Sequence, residues 1–231
     1  MPPLTLGILE TGQPPDALRP AFGGYPPMFE ALLGDRFRYR AFDVAADRPP
    51  SDPTACDAWL ITGSPAGVYD ESPWIAPLMA FISAAYGRRK LVGVCFGHQV
   101  MAHALGGHAE KSARGWGVGR QAYRIEQQAP WMDGALEVSA PASHQDQVTR
   151  LPQDAAVLGG NAFTPFGLLE YAGGAGLSMQ FHPEFSPDFA KALVQSRRDR
   201  LGDLTDGALA SLEAPMDRAR LAGWIGDFLE G

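Results

Sequence analysis

The first half of the chain alternates short hydrophobic runs with segments in which hydrophobic residues recur at helical spacing. Strands that alternate with helices are typical of βαβ units, so this half predicts a parallel sheet covered by helices on both faces. The strand candidates are residues 4–9, 37–44, 58–62 and 91–95, and the helix candidates are 26–33, 73–86 and 97–105.

The second half has a different pattern, because short strand candidates follow one another with turns between them. They are residues 119–126, 136–140, 155–159, 167–171 and 177–181, followed by helical patterns at 187–201 and 215–229. Short strands without intervening helices predict a mixed or antiparallel extension of the sheet. We therefore predict an α/β fold: a single three-layer, flavodoxin-like domain with a mostly parallel mixed central sheet. It is expected to span 1–231, with the informative motifs in 4–186 and a helical segment at 187–231.

Composition limits the class of protein. The chain has 231 residues, of which 45% are hydrophobic, enough for a core without a disulfide or metal. Its two cysteines favour a reducing cytosol, and its first residues lack the pattern of a secretory signal, so a cytoplasmic location is expected. A net charge of −7 without a basic stripe argues against nucleic acid as a partner. The longest hydrophobic runs are too short to cross a membrane.

The most informative segment is a cysteine between two glycines, where a buried strand meets a helix. Gly93, Cys95 and Gly97 form a Gly-x-Cys-x-Gly pattern, the thiol counterpart of a Gly-x-Ser-x-Gly nucleophile elbow. The N-terminus of a helix stabilises a thiolate and offers backbone N–H groups to an oxyanion. We therefore predict Cys95 as a nucleophile, with the N–H of Phe96 in the oxyanion hole. A buried structural cysteine is the alternative.

A cysteine nucleophile needs a base, and His182 is the best candidate. It follows the strand at 177–181, and in a parallel sheet the carboxyl ends of strands lie along one edge. Cys95 and His182 are therefore expected to emerge together. Glu184, two residues further on, can accept a hydrogen bond from the imidazole and complete a Cys-His-Glu triad. His98, His103 and His108 are each five residues apart and do not have zinc-ligand spacing, so no metal is predicted.

The cysteine elbow together with the Phe-His-Pro-Glu segment at 181–184 resembles the class I, triad-type glutamine amidotransferases, including the glutaminase domain of GMP synthetase. The resemblance covers residues 4–186. It implies that Cys95 is the nucleophile, His182 the general base and acid, and Glu184 the orienting carboxylate.

The resemblance also implies roles for residues outside the triad. The loop with Gly63 and Ser64 corresponds to an oxyanion loop, although the family usually has glycine where Ser64 stands. The segment 143–146 corresponds to one that binds the α-amino and α-carboxylate groups of glutamine, and Gln145 replaces a frequent glycine there. The implied substrate-binding residues are Gln99, Ser143, His144, Gln145 and Asp146, with His144 as a wall of the site.

The resemblance implies hydrolysis of the side-chain amide of glutamine through a glutamyl thioester, with no cofactor required. One hypothesis is a glutaminase subunit that passes ammonia to a separate synthetase. Another is a stand-alone hydrolase of γ-glutamyl peptides or amides. The third is a binding protein without turnover. The expected partner is glutamine or another γ-glutamyl small molecule, with a separate synthetase subunit as a possible recipient of the ammonia.

Overall fold

The structure is a computed structural model and describes residues 2–46 and 48–231. The strands are β1 Thr5–Glu10, β2 Arg38–Asp43, β3 Ala58–Ile61, β4 Lys90–Val94, β5 His108–Lys111, β6 Gly117–Ile125, β7 Glu137–His144, β8 Asp146–Arg150, β9 Ala155–Gly160, β10 Leu168–Tyr171 and β11 Gly176–Met179. The α-helices are α1 Arg19–Phe22, α2 Tyr25–Leu33, α3 Ile75–Ala85, α4 Phe96–Ala104, α5 Pro187–Ser196, α6 Arg198–Leu201, α7 Leu204–Ser211 and α8 Arg218–Glu230. Two short 3-10 helices lie at Gly34–Arg36 and Ala172–Gly174.

Nine of the strands form one mixed sheet in the order β2-β1-β3-β4-β11-β10-β9-β6-β7. The five strands from β2 to β11 are parallel, and the neighbours from β11 to β7 are antiparallel. The predicted fold, a mostly parallel sheet with an antiparallel extension, is therefore confirmed. Large hydrophobic clusters cover both faces, one containing Phe29 and Phe228 and the other Trp59 and Phe81.

The register of the parallel strands brings three loops together. Val94 at the end of β4 lies opposite Met179 at the end of β11, and Gly93 lies opposite Ile61 at the end of β3. The residues that follow these strand ends therefore leave the sheet at a common edge, as expected for a parallel sheet. The N–H of Cys95 extends this pairing by donating to the carbonyl of Met179 at 2.8 Å.

The C-terminal helices close the core. Leu221, Trp224, Ile225 and Phe228 of α8 are all at most 3% exposed and belong to the cluster that covers one face of the sheet. On the opposite face, α3 and α4 pack side by side over β3 and β4.

Several elements differ from the prediction. The helix predicted over 187–201 is broken at Arg197, which separates α5 from α6. Strands β5 and β8 pair only with each other as a small second sheet, and neither was predicted. The strand predicted at 136–140 continues to His144 through Pro141, because β7 is an edge strand and an edge strand tolerates proline.

Both edges of the large sheet are protected. On β7, the N–H of Ser139 donates to the Asp217 carboxylate at 2.9 Å, and its carbonyl accepts from the N–H of Asp217 at 2.8 Å. Pro141 on the same strand has no N–H. At the other edge, β2 carries Arg38 and Arg40, which are exposed.

Candidate functional site

Cys95 occupies a strained turn between β4 and α4. Its backbone has φ 54° and ψ −103°, and among the described residues it is the sole non-glycine with positive φ. Such a conformation persists when the surrounding structure imposes it. A Cβ on Gly97 would come within 2.2 Å of the Ile61 carbonyl oxygen, and one on Gly93 within 2.5 Å of the Gly97 oxygen. The two glycines therefore allow the close strand and helix contacts that hold Cys95 in this turn.

His182 and Glu184 form a buried pair next to Cys95. The imidazole Nδ1 lies 2.7 Å from Oε1 of Glu184, and the two residues are 3% and 1% exposed. Because a carboxylate can only accept, Nδ1 carries a proton and Nε2 is left to exchange protons with a substrate or thiol. Gly63 lies against both groups, since a Cβ there would be 3.1 Å from Cε1 of His182 and 3.7 Å from Cβ of Cys95.

The charges around His182 favour its protonated form. Burial alone would lower the pKa of the imidazole, but the negative charges of a Cys95 thiolate and of Glu184 outweigh burial and raise the pKa above its ordinary value. A thiolate beside an imidazolium is the active form of a cysteine nucleophile. The arrangement therefore places the Cys95 sulfur beside an imidazolium, which suits nucleophilic attack on a carbonyl carbon.

The loop after β3 and the start of α4 meet at Cys95. Phe96 is the first residue of α4, where backbone N–H groups have no partner within the helix. Ser64 lies in the loop after β3 and lines the same pocket as Cys95. Phe96 directly follows Cys95, and Ser64 shares the pocket with it, so both remain candidates for the oxyanion hole.

A small pocket of about 180 Å³ opens onto Cys95. All five residues for which the family resemblance implied substrate contacts line it: Gln99, Ser143, His144, Gln145 and Asp146. Sites for drug-sized ligands usually measure about 300–1,000 Å³, so this pocket suits a molecule the size of an amino acid.

His144 is a neutral wall of this pocket. Its Nδ1 lies 3.1 Å from the Asp146 carbonyl, and the residue is 3% exposed. Burial lowers the pKa of His144 to about 4, with His182 adding a smaller repulsion and the Asp146 carbonyl opposing both. His144 is therefore uncharged at neutral pH.

Gln99 lies at the end of the first turn of α4 and is held by hydrogen bonds to neighbouring segments of the site. Its Nε2 donates to the Asp146 carbonyl at 2.9 Å and to Oε1 of Gln180 at 3.1 Å. These bonds connect α4 with the segment at 143–146, so Gln99 holds one wall of the pocket against the helix that begins at the nucleophile.

Several charged and aromatic residues line the pocket without having been predicted there. They are Tyr69, Asp70, Lys111, Arg197 and Arg200. Arg197 lies at the break between α5 and α6 rather than on a continuous helix face, and its Nη1 donates to Oγ of Ser143 at 2.6 Å. The sequence signal that could have located them is weak, since none belongs to a recognisable motif.

Other features of the described chain do not bear on this chemistry. Over residues 2–46 and 48–231, no group of three His, Cys, Asp or Glu side chains converges as metal ligands do. Within the same ranges, no helix is both long and apolar enough to cross a bilayer. A larger groove of about 910 Å³ lies elsewhere, between Trp131 and Trp224, and contains no cysteine or histidine.

Comparison with known families assigns the chain to one of them. The family described as glutamine amidotransferase class-I matches residues 30–196, which is most of the chain. This protein therefore belongs to the class I glutamine amidotransferases.

Two relatives show how the similarity extends along the chain. The chain is 27% identical to γ-glutamyl peptidase 5 of Arabidopsis thaliana over 232 residues, covering 93% of this chain and 90% of the relative. It is also 27% identical to a glutamine-hydrolysing GMP synthase of Porphyromonas gingivalis over 198 residues, covering 75% of this chain and 38% of the relative. Members of the family are thus enzymes that differ in length and in named activity.

The fold is shared with a solved structure. A glutamine amidotransferase from Thermotoga maritima superimposes with a TM-score of 0.75, at 16% identity, over 98% of this chain and 96% of that one. At this identity the likeness establishes the common fold.

Proposed function

We propose that this protein is a cysteine-dependent hydrolase of γ-glutamyl amide bonds, with Cys95, His182 and Glu184 as its catalytic triad. The observation that carries the proposal is the buried His182–Glu184 pair, 2.7 Å apart, beside a cysteine held in a strained elbow. Membership of the family and the nearly full-length similarity to a γ-glutamyl peptidase support the same substrate class.

The first half of the reaction forms a thioester. The Cys95 thiolate attacks the side-chain carbonyl carbon of the γ-glutamyl group, and the N–H groups of Ser64 and Phe96 stabilise the oxyanion. His182 then donates its Nε2 proton to the nitrogen of the leaving group. The C–N bond breaks, ammonia or an amine departs, and the glutamyl group stays on sulfur.

The second half hydrolyses the thioester. The imidazole of His182, now neutral, takes a proton from water, and the resulting hydroxide attacks the thioester carbonyl. The C–S bond breaks, which releases glutamate and restores the thiolate–imidazolium pair. Glu184 stays ionised and holds the ring in the tautomer that both steps need.

A second candidate function is a glutaminase subunit that delivers ammonia to a separate synthetase. The similarity to a longer, glutamine-hydrolysing GMP synthase favours it, since the matched part covers 38% of that relative. Such a subunit would bind and react with glutamine analogues but would turn over slowly on its own.

The decisive experiment measures glutamate release from glutamine and from γ-glutamyl dipeptides. We expect Cys95→Ala to lower turnover by at least about 10³-fold, because the nucleophile is lost. Cys56→Ala is the matched control, since Cys56 is also a buried free cysteine but lies outside the pocket.

Retained turnover in Cys95→Ala would overturn the proposed function. If the wild type releases no glutamate, labelling by a diazoketone analogue of glutamine distinguishes the glutaminase subunit from a binding protein without turnover. Mass spectrometry that finds Cys95 alkylated would favour the subunit, and an unmodified Cys95 would leave a binding protein.

A further inference from the structure

Two buried threonines join the turn after β1 to the loop after β3. Thr11 directly follows the last residue of β1, and Thr62 directly follows β3. The two residues are 1% and 0% exposed. The N–H of Thr11 donates to Oγ1 of Thr62 at 3.0 Å, and the two hydroxyl oxygens lie 3.2 Å apart. The hydroxyl of Thr11 is thereby held against the loop that contains Gly63 and Ser64.

Both hydroxyls are directed at carbonyl groups of this loop. Oγ1 of Thr11 lies 3.0 Å from the Thr62 carbonyl oxygen and 3.1 Å from the Gly63 carbonyl oxygen, so its single proton is shared between them. The Thr62 hydroxyl donates to the same Gly63 carbonyl at 3.1 Å. Two buried side chains therefore fix the orientation of the peptide group that joins Gly63 to Ser64.

The orientation of this peptide group decides where the N–H of Ser64 points. The peptide is trans, and in a trans peptide the C=O and N–H bonds point in opposite directions. Because the Gly63 carbonyl is turned toward Thr11, the Ser64 N–H is directed away from it. Among residues 2–46 and 48–231, none accepts a hydrogen bond from this N–H, and Ser64 lines the pocket that opens onto Cys95.

The loop is also held by backbone contacts on two sides. A Cβ on Gly12 would lie 2.7 Å from Cδ of Pro65 and 3.1 Å from Cα of Ser64, so the turn after β1 packs directly against the loop. The Thr62 carbonyl also accepts from the N–H of Gly97 at 3.1 Å, which joins the loop to the start of α4. Loss of the Thr11 hydroxyl would therefore loosen one peptide group without releasing the whole loop.

We infer that Thr11 is a positioning residue for the oxyanion hole, because its hydroxyl holds the Gly63–Ser64 peptide with the Ser64 N–H turned to the substrate. This inference rests on the proposed hydrolase function and deepens it. It predicts that Thr11 acts on the transition state, where the negative charge develops on oxygen, and has little influence on substrate binding.

The test compares Thr11→Val with Thr11→Ser in the hydrolysis of glutamine and of γ-glutamyl dipeptides. Valine removes the hydroxyl and keeps the branched shape, whereas serine keeps the hydroxyl. Loss of a whole oxyanion donor costs about 10²–10³-fold in kcat, so a donor that is present but less fixed should cost about 10- to 100-fold. We expect this fall in kcat for Thr11→Val, with KM within about threefold of the wild type, and Thr11→Ser should recover most of it.

Thr205→Val is the matched control. Thr205 is also 1% exposed, but it lies in α7, does not line the pocket, and its hydroxyl has no hydrogen-bond partner among the described residues. Its kcat and KM should equal those of the wild type. Urea unfolding shows whether each variant is folded in the assay. Thr62→Val removes the second hydroxyl donor to the Gly63 carbonyl and should also lower kcat, which keeps the inference testable if Thr11→Val is unstable.

An aldehyde analogue of glutamine gives a second readout, which does not depend on the leaving group. In the γ-semialdehyde of glutamate, an aldehyde replaces the carboxamide. The Cys95 thiolate adds to the aldehyde carbon, a C–S bond forms, and the π electrons of C=O move to the oxygen, which becomes the oxyanion of a hemithioacetal. We expect the inhibition constant to rise in Thr11→Val by about the factor by which kcat/KM falls, and a merely structural role would leave it unchanged in the folded protein.

Three results would overturn the inference. They are a folded Thr11→Val with the kcat of the wild type, a loss confined to KM with unchanged inhibition by the aldehyde, and an equal loss in Thr11→Ser, which would assign the effect to packing. In each case Cys95-dependent turnover of the wild type continues. Failure of the proposed function is recognised differently, because the wild type then releases no glutamate in a Cys95-dependent way.

Discussion

The imidazole of His182 is fixed by contacts on several sides. Nδ1 bonds Glu184, the ring stacks on Phe185 with an angle of 6° between the planes, and the backbone N–H donates to the Pro141 carbonyl at 2.8 Å. A ring held in this way loses little further freedom when substrate binds, which favours proton transfer at Nε2. Burial of the Glu184 carboxylate keeps its influence on the ring strong, since little water screens it.

Replacing Glu184 by glutamine should therefore change both rate and pH dependence. The Glu184 charge helps to raise the pKa of His182, so Glu184→Gln lowers that pKa, and the imidazolium is lost at a lower pH. We expect the alkaline limb of kcat/KM to move to lower pH, with the maximum falling by about 10²-fold or more. A pH profile measured on glutamine or a γ-glutamyl dipeptide checks this.

The control for this variant is Glu213→Gln, since Glu213 is exposed and pairs with Lys191 at 2.7 Å. It should leave the profile unchanged. An alkaline limb that stays in place in Glu184→Gln would show that Glu184 does not set the charge of His182.

At the scale of secondary structure, the elbow depends on the contact of α4 with β3. Gly97 opens the first turn of α4 against the Ile61 carbonyl, and its N–H donates to the Thr62 carbonyl at 3.1 Å. The contact is between backbones, so a side chain cannot move aside to relieve a clash. The position of Cys95 is thus fixed by two elements rather than by its own loop.

Gly97→Ala should destabilise the protein by about 1–3 kcal/mol, because a methyl group would have to displace the β3 backbone. Gly223→Ala in α8 is the control. A Cβ there meets nothing within 4 Å, and the change should stabilise by about 0.5–1 kcal/mol through helix propensity. Urea unfolding measures both, and a Gly97→Ala variant as stable as wild type would contradict the argument.

The strands of the large sheet could be predicted because a buried strand requires hydrophobic residues, which are visible in the sequence. Strands β3 and β4 are buried along nearly their whole length and read as continuous apolar runs. By contrast, β5 has two exposed residues among its four and pairs with β8 alone, so its sequence carries no such run. Strands such as β5 form because the tertiary structure brings them beside a partner strand, which their own sequence does not indicate.

The residues of the candidate site also fall into two groups, those that the sequence predicts and those that it does not. Cys95, His182 and Glu184 follow buried strands within short motifs, and parallel register is enough to bring such positions together. Arg197 carries no local signal, because its place in the pocket depends on a helix break that the polar sequence around it does not predict. Its approach to Ser143 joins positions 54 residues apart, which one sequence does not reveal.

At the scale of the whole molecule, α8 connects the core to the site. Its buried face packs on the sheet, and Arg218 at its start donates to the carbonyls of Pro183 and Glu184 at 3.0 and 3.3 Å. A helical segment at the end of the sequence is compatible with two roles, a surface for a partner or a layer that closes the core. For α8 the packing supports the closing layer.

Phe228→Ala should therefore cost about 3–5 kcal/mol in the free energy of unfolding, as expected for a large aromatic side chain removed from a core. Phe228 is 2% exposed. Leu204→Ala serves as the control, since Leu204 is 47% exposed, and its effect should stay within about 0.5 kcal/mol. Thermal or urea unfolding of both variants checks the difference, and equal stabilities would mean that α8 is not part of the core.

The protected edges of the sheet also bear on how copies of this protein behave when crowded. An open strand edge presents a row of donors and acceptors that invites another chain to add a strand, which leads to aggregation. On β7, Asp217 already bonds the backbone N–H and carbonyl of Ser139, and Pro141 has no N–H to offer another chain. On β2, at the opposite edge, Arg38 and Arg40 carry like charges that would repel those of a second copy. Aggregation by repeated addition of strands from other copies is therefore opposed at both edge strands of the nine-stranded sheet.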